Sequence, residues 1–220
     1  MRAKAIAVLL VLATTALPGV ASAVPQQQGR VVDRIVARVE GDVILLSQVR
    51  ELAAFQRLVD GRAESDDRLL SELVEQWIVQ AEANTSHFPQ PSSSEVDREM
   101  ARLAGRFTTP EAYAAKLREL GLSTTPVRRM LTQQIFLTRY LDDKFRPSVQ
   151  IEPSQVHTYY QKELLPELAK KHQPVPPETA VEAQIRELLI QREITNRTAK
   201  WLDETKGRLR IEIMPPAASP

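Results

Sequence analysis

Val31 to Val49 reads VVDRIVARVEGDVILLSQV, and this stretch decides the fold. Ile35, Ala37 and Val39 alternate with Arg34, Arg38 and Glu40, the period of a half-buried strand, although Val36 breaks the strict pattern. Gly41-Asp42 fits a two-residue hairpin turn, where glycine supplies a positive φ at little steric cost. Val43 to Leu46 returns as a second short strand, and Ser47 is placed to cap a helix carrying Val49, Leu52, Ala53 and Phe55. The other convincing strand lies at the far end of the chain, where Leu209, Ile211 and Ile213 alternate within RLRIEI, Arg208 to Ile213. An isolated hairpin is marginal in water, and so is a lone terminal strand. Pairing them solves both problems and predicts a sheet that joins the first and last elements.

Everything between these strands carries helical punctuation. Asp66 or Asp67 can cap a helix whose Leu70, Leu73, Val74, Trp77, Ile78 and Ala81 follow the spacing of a buried face, with a loop from Asn84 to Pro91. Ser94 with Asp97 suits a capping box before the stripe Val96, Met100, Leu103 and Phe107. Thr109-Pro110 starts a short helix that Gly121 ends, and Thr125-Pro126 starts a long one running to about Phe145. Pro153 opens a helix bearing Val156, Tyr159, Tyr160 and Leu164, and Pro166 stops it. Residues 166–178, PELAKKHQPVPPE, have no apolar period and read as a linker. Val181, Ile185, Leu188, Leu189, Ile194, Trp201 and Leu202 mark a long last helix, which Gly207 ends. The fold class is therefore mainly α, a single domain over 31–214 with a small sheet formed by the N-terminal hairpin and the C-terminal strand, followed by a 215–220 tail.

The start of the chain has the form of an export signal. Arg2 and Lys4 precede an apolar run, Ala5 to Leu17, too short to span a bilayer, and Ala21-Ser22-Ala23 is a small-residue cleavage site. Cleavage after Ala23 is expected, leaving a polar spacer over 24–30. Removing Met1 to Ala23 takes away two positive charges and no negative ones, which turns the formal +1 into −1. That balance provides no electrostatic footprint for nucleic acid or an anionic membrane surface, and no later run is apolar enough for stable membrane insertion. Cysteine is absent, so packing rather than disulfides must stabilise the fold.

With these residues in view, VVDRIVARVEGDVILLSQVRE resembles the opening of the SurA-type periplasmic chaperones, which has the form DRIVA-V-(N/E)-(D/G)-D-V-(I/V)-L-x-S-(E/Q)-V. QIRELLIQREITNRTAKWLDETKGRLRIEIM resembles the closing helix and strand of that family, and IEPSQVHTYYQKEL the helix before its isomerase module. The resemblance implies a helical chaperone module, a periplasmic location, and unfolded outer-membrane or periplasmic proteins as partners. In the family, one or two parvulin-type prolyl isomerase domains, of roughly 90 to 100 residues each, sit where this chain has the thirteen residues Pro166 to Glu178. The histidine-bearing opening strand of a parvulin domain is missing too. The expectation is a SurA-like holdase without its isomerase, acting without ATP on unfolded envelope proteins and assisting outer-membrane protein assembly. A folding factor related to the prolyl isomerases, and a fixed subunit of an envelope complex, are the alternatives.

The residues themselves offer no competing chemistry. His87, His157 and His172 have no spacing that would gather them on a metal, and no nucleophile elbow, phosphate loop or dinucleotide fingerprint is present. No catalytic residue and no cofactor is expected. On a helical wheel, Val127, Met130, Leu131, Ile135, Leu137, Leu141 and Phe145 form one broad stripe of the helix after Pro126, while Phe136 and Tyr140 point the other way. Either this helix packs on both sides, or Phe136 and Tyr140 line a groove for an extended peptide, which Phe88, Met100, Phe107, Tyr113 and Met130 could join because methionine and aromatic side chains adapt to varied partners. The long helix that tethers Arg208 to Ile213 also permits a homodimer that swaps this strand between copies.

Overall fold

The computed structural model describes residues 33–215. The export signal over 1–23, the spacer over 24–30 and the tail from 216 onward lie outside the described residues. Strands β1 (Ile35–Val39) and β2 (Asp42–Leu45) form the expected hairpin, and β3 (Ile211–Ile213) pairs antiparallel with β1, giving the sheet order β2-β1-β3. Between them come α1 (Leu46–Asp60), α2 (Asp66–Thr85), α3 (Ser93–Ala104), α4 (Pro110–Glu119), α5 (Thr124–Phe145), α6 (Pro153–Tyr159), α7 (Leu165–Lys170) and α8 (Glu178–Lys206). The protein is mainly helical with a small antiparallel sheet that joins its first and last elements.

Val36, which breaks the alternation in the sequence, marks an irregularity in the ladder. The β1–β2 register shifts between Ile35 and Ala37, so Val36 and Ala37 are both buried while Val39 keeps its place on the inner face. On that face Ala37 lies opposite Ile213 and Val39 opposite Ile211. The turn sits one residue earlier than the sequence suggests. It consists of Glu40 and Gly41, with φ of 52° and 107°, the two positive values of a primed hairpin turn. Asp42 looks like a turn residue but belongs to β2, and its carboxylate accepts a 2.9 Å hydrogen bond from the Trp77 indole on α2. Glu40 is held in its unusual conformation by the residue just before β3: its N–H donates to the Arg210 carbonyl at 3.0 Å, and its carboxylate accepts from the Arg210 N–H at 2.6 Å.

Several helix starts shift similarly. Ser47 lies inside the first turn of α1, bonded to Asp33, while Leu45 occupies the capping position. In α3 the capping box is formed by Ser92 and Glu95 rather than Ser94 and Asp97, because the run of three serines offers several starts and only Ser92 has a glutamate three residues on. Thr109 caps α4 through a 3.2 Å bond from Ala112 N–H, and Gly121 follows it at φ 67°, both as the sequence implies. Pro166 does not stop its helix. Tyr160 to Leu164 form a widened π turn in which Leu165 N–H reaches the Tyr160 carbonyl, and the helix then continues through Pro166 to Lys170. A proline ring collides with the carbonyl four residues back in a regular helix, and the wider turn just before it relieves that contact. The linker is thereby reduced to residues 171–177.

Three apolar clusters hold the elements. The largest packs the sheet on α1, α2, α5 and the end of α8, through Val39, Leu52, Leu69, Ile78, Phe136 and Leu202 among others. A second joins the end of α1 to α3, α4 and the start of α5. The third places Val156 and Tyr160 against Ile185 on α8. Arg146 ties the end of α5 to α8, donating to Asp142 at 2.8 Å and to Glu187 at 2.7 Å. Among the described residues no helix is long and apolar enough to cross a membrane.

Candidate functional site

Helices α1, α2 and α5 do not close completely on one another. The gap is an open trough of about 600 Å³, within the range of small-ligand and peptide sites. Its apolar floor comes from Leu52, Phe55 and Val59 on α1, Leu73 on α2, and Met130, Leu137 and Leu141 on α5. Gln48, Gln56, Gln76, Gln133 and Gln134 stand around it, together with Glu51, Asp60, Glu72 and Arg129. Each helix reaches the trough with residues three or four apart in sequence, the spacing that places side chains on one helical face. A polar rim over an apolar floor can accept side chains of varied shape while offering donors and acceptors to a polypeptide main chain.

The rim is braced by its own contacts. Arg129 on α5 reaches Glu51 on α1 with a 2.5 Å ion pair. Gln56 and Gln76 donate to the two oxygens of Glu72, at 2.8 and 3.0 Å, and Gln133 donates to Gln76 at 3.3 Å. Partial burial pushes the Glu72 carboxyl up from its ordinary value, and the Gln76 and Gln56 amides only partly offset that.

A second trough of about 570 Å³ adjoins the first, between α3 and α5. Val59, Gln134 and Thr138 line both. Leu103, Leu131 and Ile135 supply its apolar wall, and Glu99, Arg102, Arg106 and Arg139 surround it. Gln134 and Thr138 are exposed and sit one helical turn apart on α5, so they mark the line where the two troughs meet.

Of the seven residues singled out in the sequence, Met130 alone lines either trough. Phe136 is 1% exposed and Tyr140 5% exposed, both within the main core. Phe88, from the loop after α2, covers that side of α5: its ring meets Phe136 edge-on at 5.7 Å and Tyr140 at 5.4 Å. Phe136 also underlies a shallow depression between α2 and α5, but it is too buried to offer a side chain there. Met100, Phe107 and Tyr113 pack in the second cluster, with the Phe107 and Tyr113 rings 5.2 Å apart. The Tyr113 hydroxyl is buried without a hydrogen-bond partner among the described residues. The two-sided packing of α5 is therefore what the structure displays at Phe136 and Tyr140.

Apart from Met130, the trough residues escaped sequence reasoning as site residues: Leu52, Phe55, Leu73, Leu137 and Leu141 read as core, and the glutamines around them were passed over. Their signal is faint but present: an amide recurs beside the apolar stripe on α1, α2 and α5, where a purely solvated face would carry more charge. The histidines have structural places. His87 and His172 follow α2 and α7 with φ of 53° and 52°, and His157 meets the Glu178 carboxylate at 2.9 Å. Among the described residues no three side chains are grouped to hold a metal ion.

No protein-family model matches the chain. The protein called Chaperone SurA from Ralstonia nicotianae is 30% identical to it over 154 residues, 65% of this chain and 30% of that protein. The chain thus has a SurA-like relationship to a chaperone of which it spans less than a third.

Proposed function

We propose that this chain is a holdase that receives extended segments of unfolded proteins in the trough between α1, α2 and α5. The observation that carries the reading is the trough itself, about 600 Å³ of open space with an apolar floor and an amide-rich rim. Capture by such a surface depends on burying apolar area and not on a reacting group, so weak multi-site binding and release need no nucleotide. The similarity to a chaperone supports the same direction.

The finer reading extends from the sequence. The Ala21-Ser22-Ala23 signal directs the chain to the periplasm, and its clients are outer-membrane proteins in transit, whose strands alternate apolar and polar residues and so suit an apolar floor with a polar rim. The connection from α7 to α8, residues 171–177, stands in place of a prolyl isomerase domain, so the chain acts by holding and not by catalysis. The whole of 31–214 serves as one chaperone domain.

Aggregation of a denatured porin, followed by light scattering with and without the purified protein, tests this. Suppression at a few-fold molar excess is expected. Thr138→Trp, which puts a bulky ring at an exposed position on the trough wall, should weaken suppression while leaving thermal unfolding unchanged. No suppression by the parent protein would refute the proposal.

A further inference from the structure

The two adjoining troughs carry opposite charge. Around the first stand three carboxylates, Glu51, Asp60 and Glu72, against one guanidinium, Arg129. Around the second stand three guanidinium groups, Arg102, Arg106 and Arg139, against one carboxylate, Glu99. Counting the partners just behind the wall does not remove the contrast. Glu95 pairs with Arg139 at 3.2 Å and Glu99 with Arg102 at 2.5 Å, which still leaves the second trough one positive charge in excess. In the first, the single cation is already paired with Glu51. Neither half is hydrophilic throughout, because apolar residues continue from Phe55 through Val59 to Leu131 and Ile135.

We infer that the paired troughs form one electrostatically polar channel that selects extended segments with an apolar middle, a basic end and an acidic end, the basic end lying between α1 and α2 and the acidic end beside α3. The inference rests on the capture reading above and adds which segments are captured. A segment of one charge throughout meets repulsion in one half of the channel, whereas a segment of mixed charge gains at both ends. An extended chain can lie in either direction, so what is read is the separation of charge along the segment and not its N-to-C order. The side chains concerned are at the rim, and the selection is therefore screened by salt.

Fluorescent peptides with a common apolar centre test this, carrying Lys-Lys at one end and Glu-Glu at the other, Lys-Lys at both ends, or Glu-Glu at both ends. Anisotropy titrations against the full protein at low ionic strength should favour the mixed peptide by about tenfold over either uniform one, the scale of two exposed ion pairs. Raising the salt to about 0.3 M, where the screening length falls well below 10 Å, should compress the three affinities together. In the double variant Arg102→Glu, Arg106→Glu the preference should pass to the peptide that is basic at both ends, and circular dichroism should show an unchanged fold because both arginines are exposed. Equal binding of all three peptides would overturn the charge selection and leave capture standing. A preference for the mixed peptide that persists in the double variant would also overturn it. Binding of none would overturn capture and selection together.

Discussion

Replacing Phe136 by alanine separates a core role from a ligand-contacting one. The ring is 1% exposed and packs edge-on against Phe88 at 5.7 Å. A phenylalanine buries on the order of 200 Å², which at about 25 cal/mol per Å² is about 5 kcal/mol for the whole side chain, an upper value because alanine keeps the β-carbon. Phe→Ala changes in packed cores cost about 3–5 kcal/mol once the residual cavity is included. We take about 4 kcal/mol for Phe136→Ala, which at about 2–4 °C per kcal/mol for a domain of this size lowers the melting temperature by about 8–16 °C. Circular dichroism during heating reads the shift, and peptide titration at 10 °C, where the variant remains folded, should return an affinity within about twofold of the parent, a difference of only about 0.4 kcal/mol. A melting temperature within about 3 °C of the parent, less than 2 kcal/mol on the same scale, together with a large loss of peptide affinity would refute the placement of Phe136 in the core.

Other consequences follow from single contacts. Glu40→Ala removes the carboxylate that accepts from Arg210 N–H at 2.6 Å and should cost about 1 kcal/mol, with faster amide exchange at Arg210; unchanged exchange would show that the ladder alone holds β3. Hydrogen bonds from Arg146, and then from Gln191, hold the Glu187 carboxyl down to about 2, so its stabilising contribution is complete above the unfolded value of about 4.3 and is lost as the pH falls toward 2. The stability difference between parent and Glu187→Gln should therefore shrink as urea unfolding is repeated from pH 6 down to pH 2, and a constant difference would contradict the pairing. Burial raises the Glu72 carboxyl instead, so its ionised form opposes folding at neutral pH and the cost fades as the pH falls through the raised value toward about 4.3. Glu72→Gln should accordingly raise the melting temperature at pH 7 and leave it unchanged at pH 3.5.

The hairpin, the closing strand and the start of α4 were legible in the sequence because their signals are local, alternation for the strands and Thr109-Pro110 for the helix, even though the closing strand pairs with β1 at the other end of the chain. What escaped it depends on partners far away. Asp42 resembles a turn residue, and only the Trp77 indole, 35 residues on, explains why it belongs to β2. Pro166 reads as a helix stop until the π turn beside it is seen to make room for the ring. On a wheel, Phe136 and Tyr140 look unpartnered, because no periodicity reveals that the loop after α2 folds Phe88 over them. The trough was hidden for a related reason: Leu52, Leu73 and Leu137 have ordinary core spacing, and only the distance between three helices decides which of them meet open space.

Capture in the trough is tested most directly by photo-crosslinking from a benzoylphenylalanine placed at Gln134, one of the two exposed residues shared by both troughs, with a matching probe at Lys200 on the exposed face of α8 as the control. Irradiation with an unfolded client should link it at position 134 and not at position 200. Equal linking at the two positions, or linking at Lys200 alone, would contradict the assignment of the trough as the binding site.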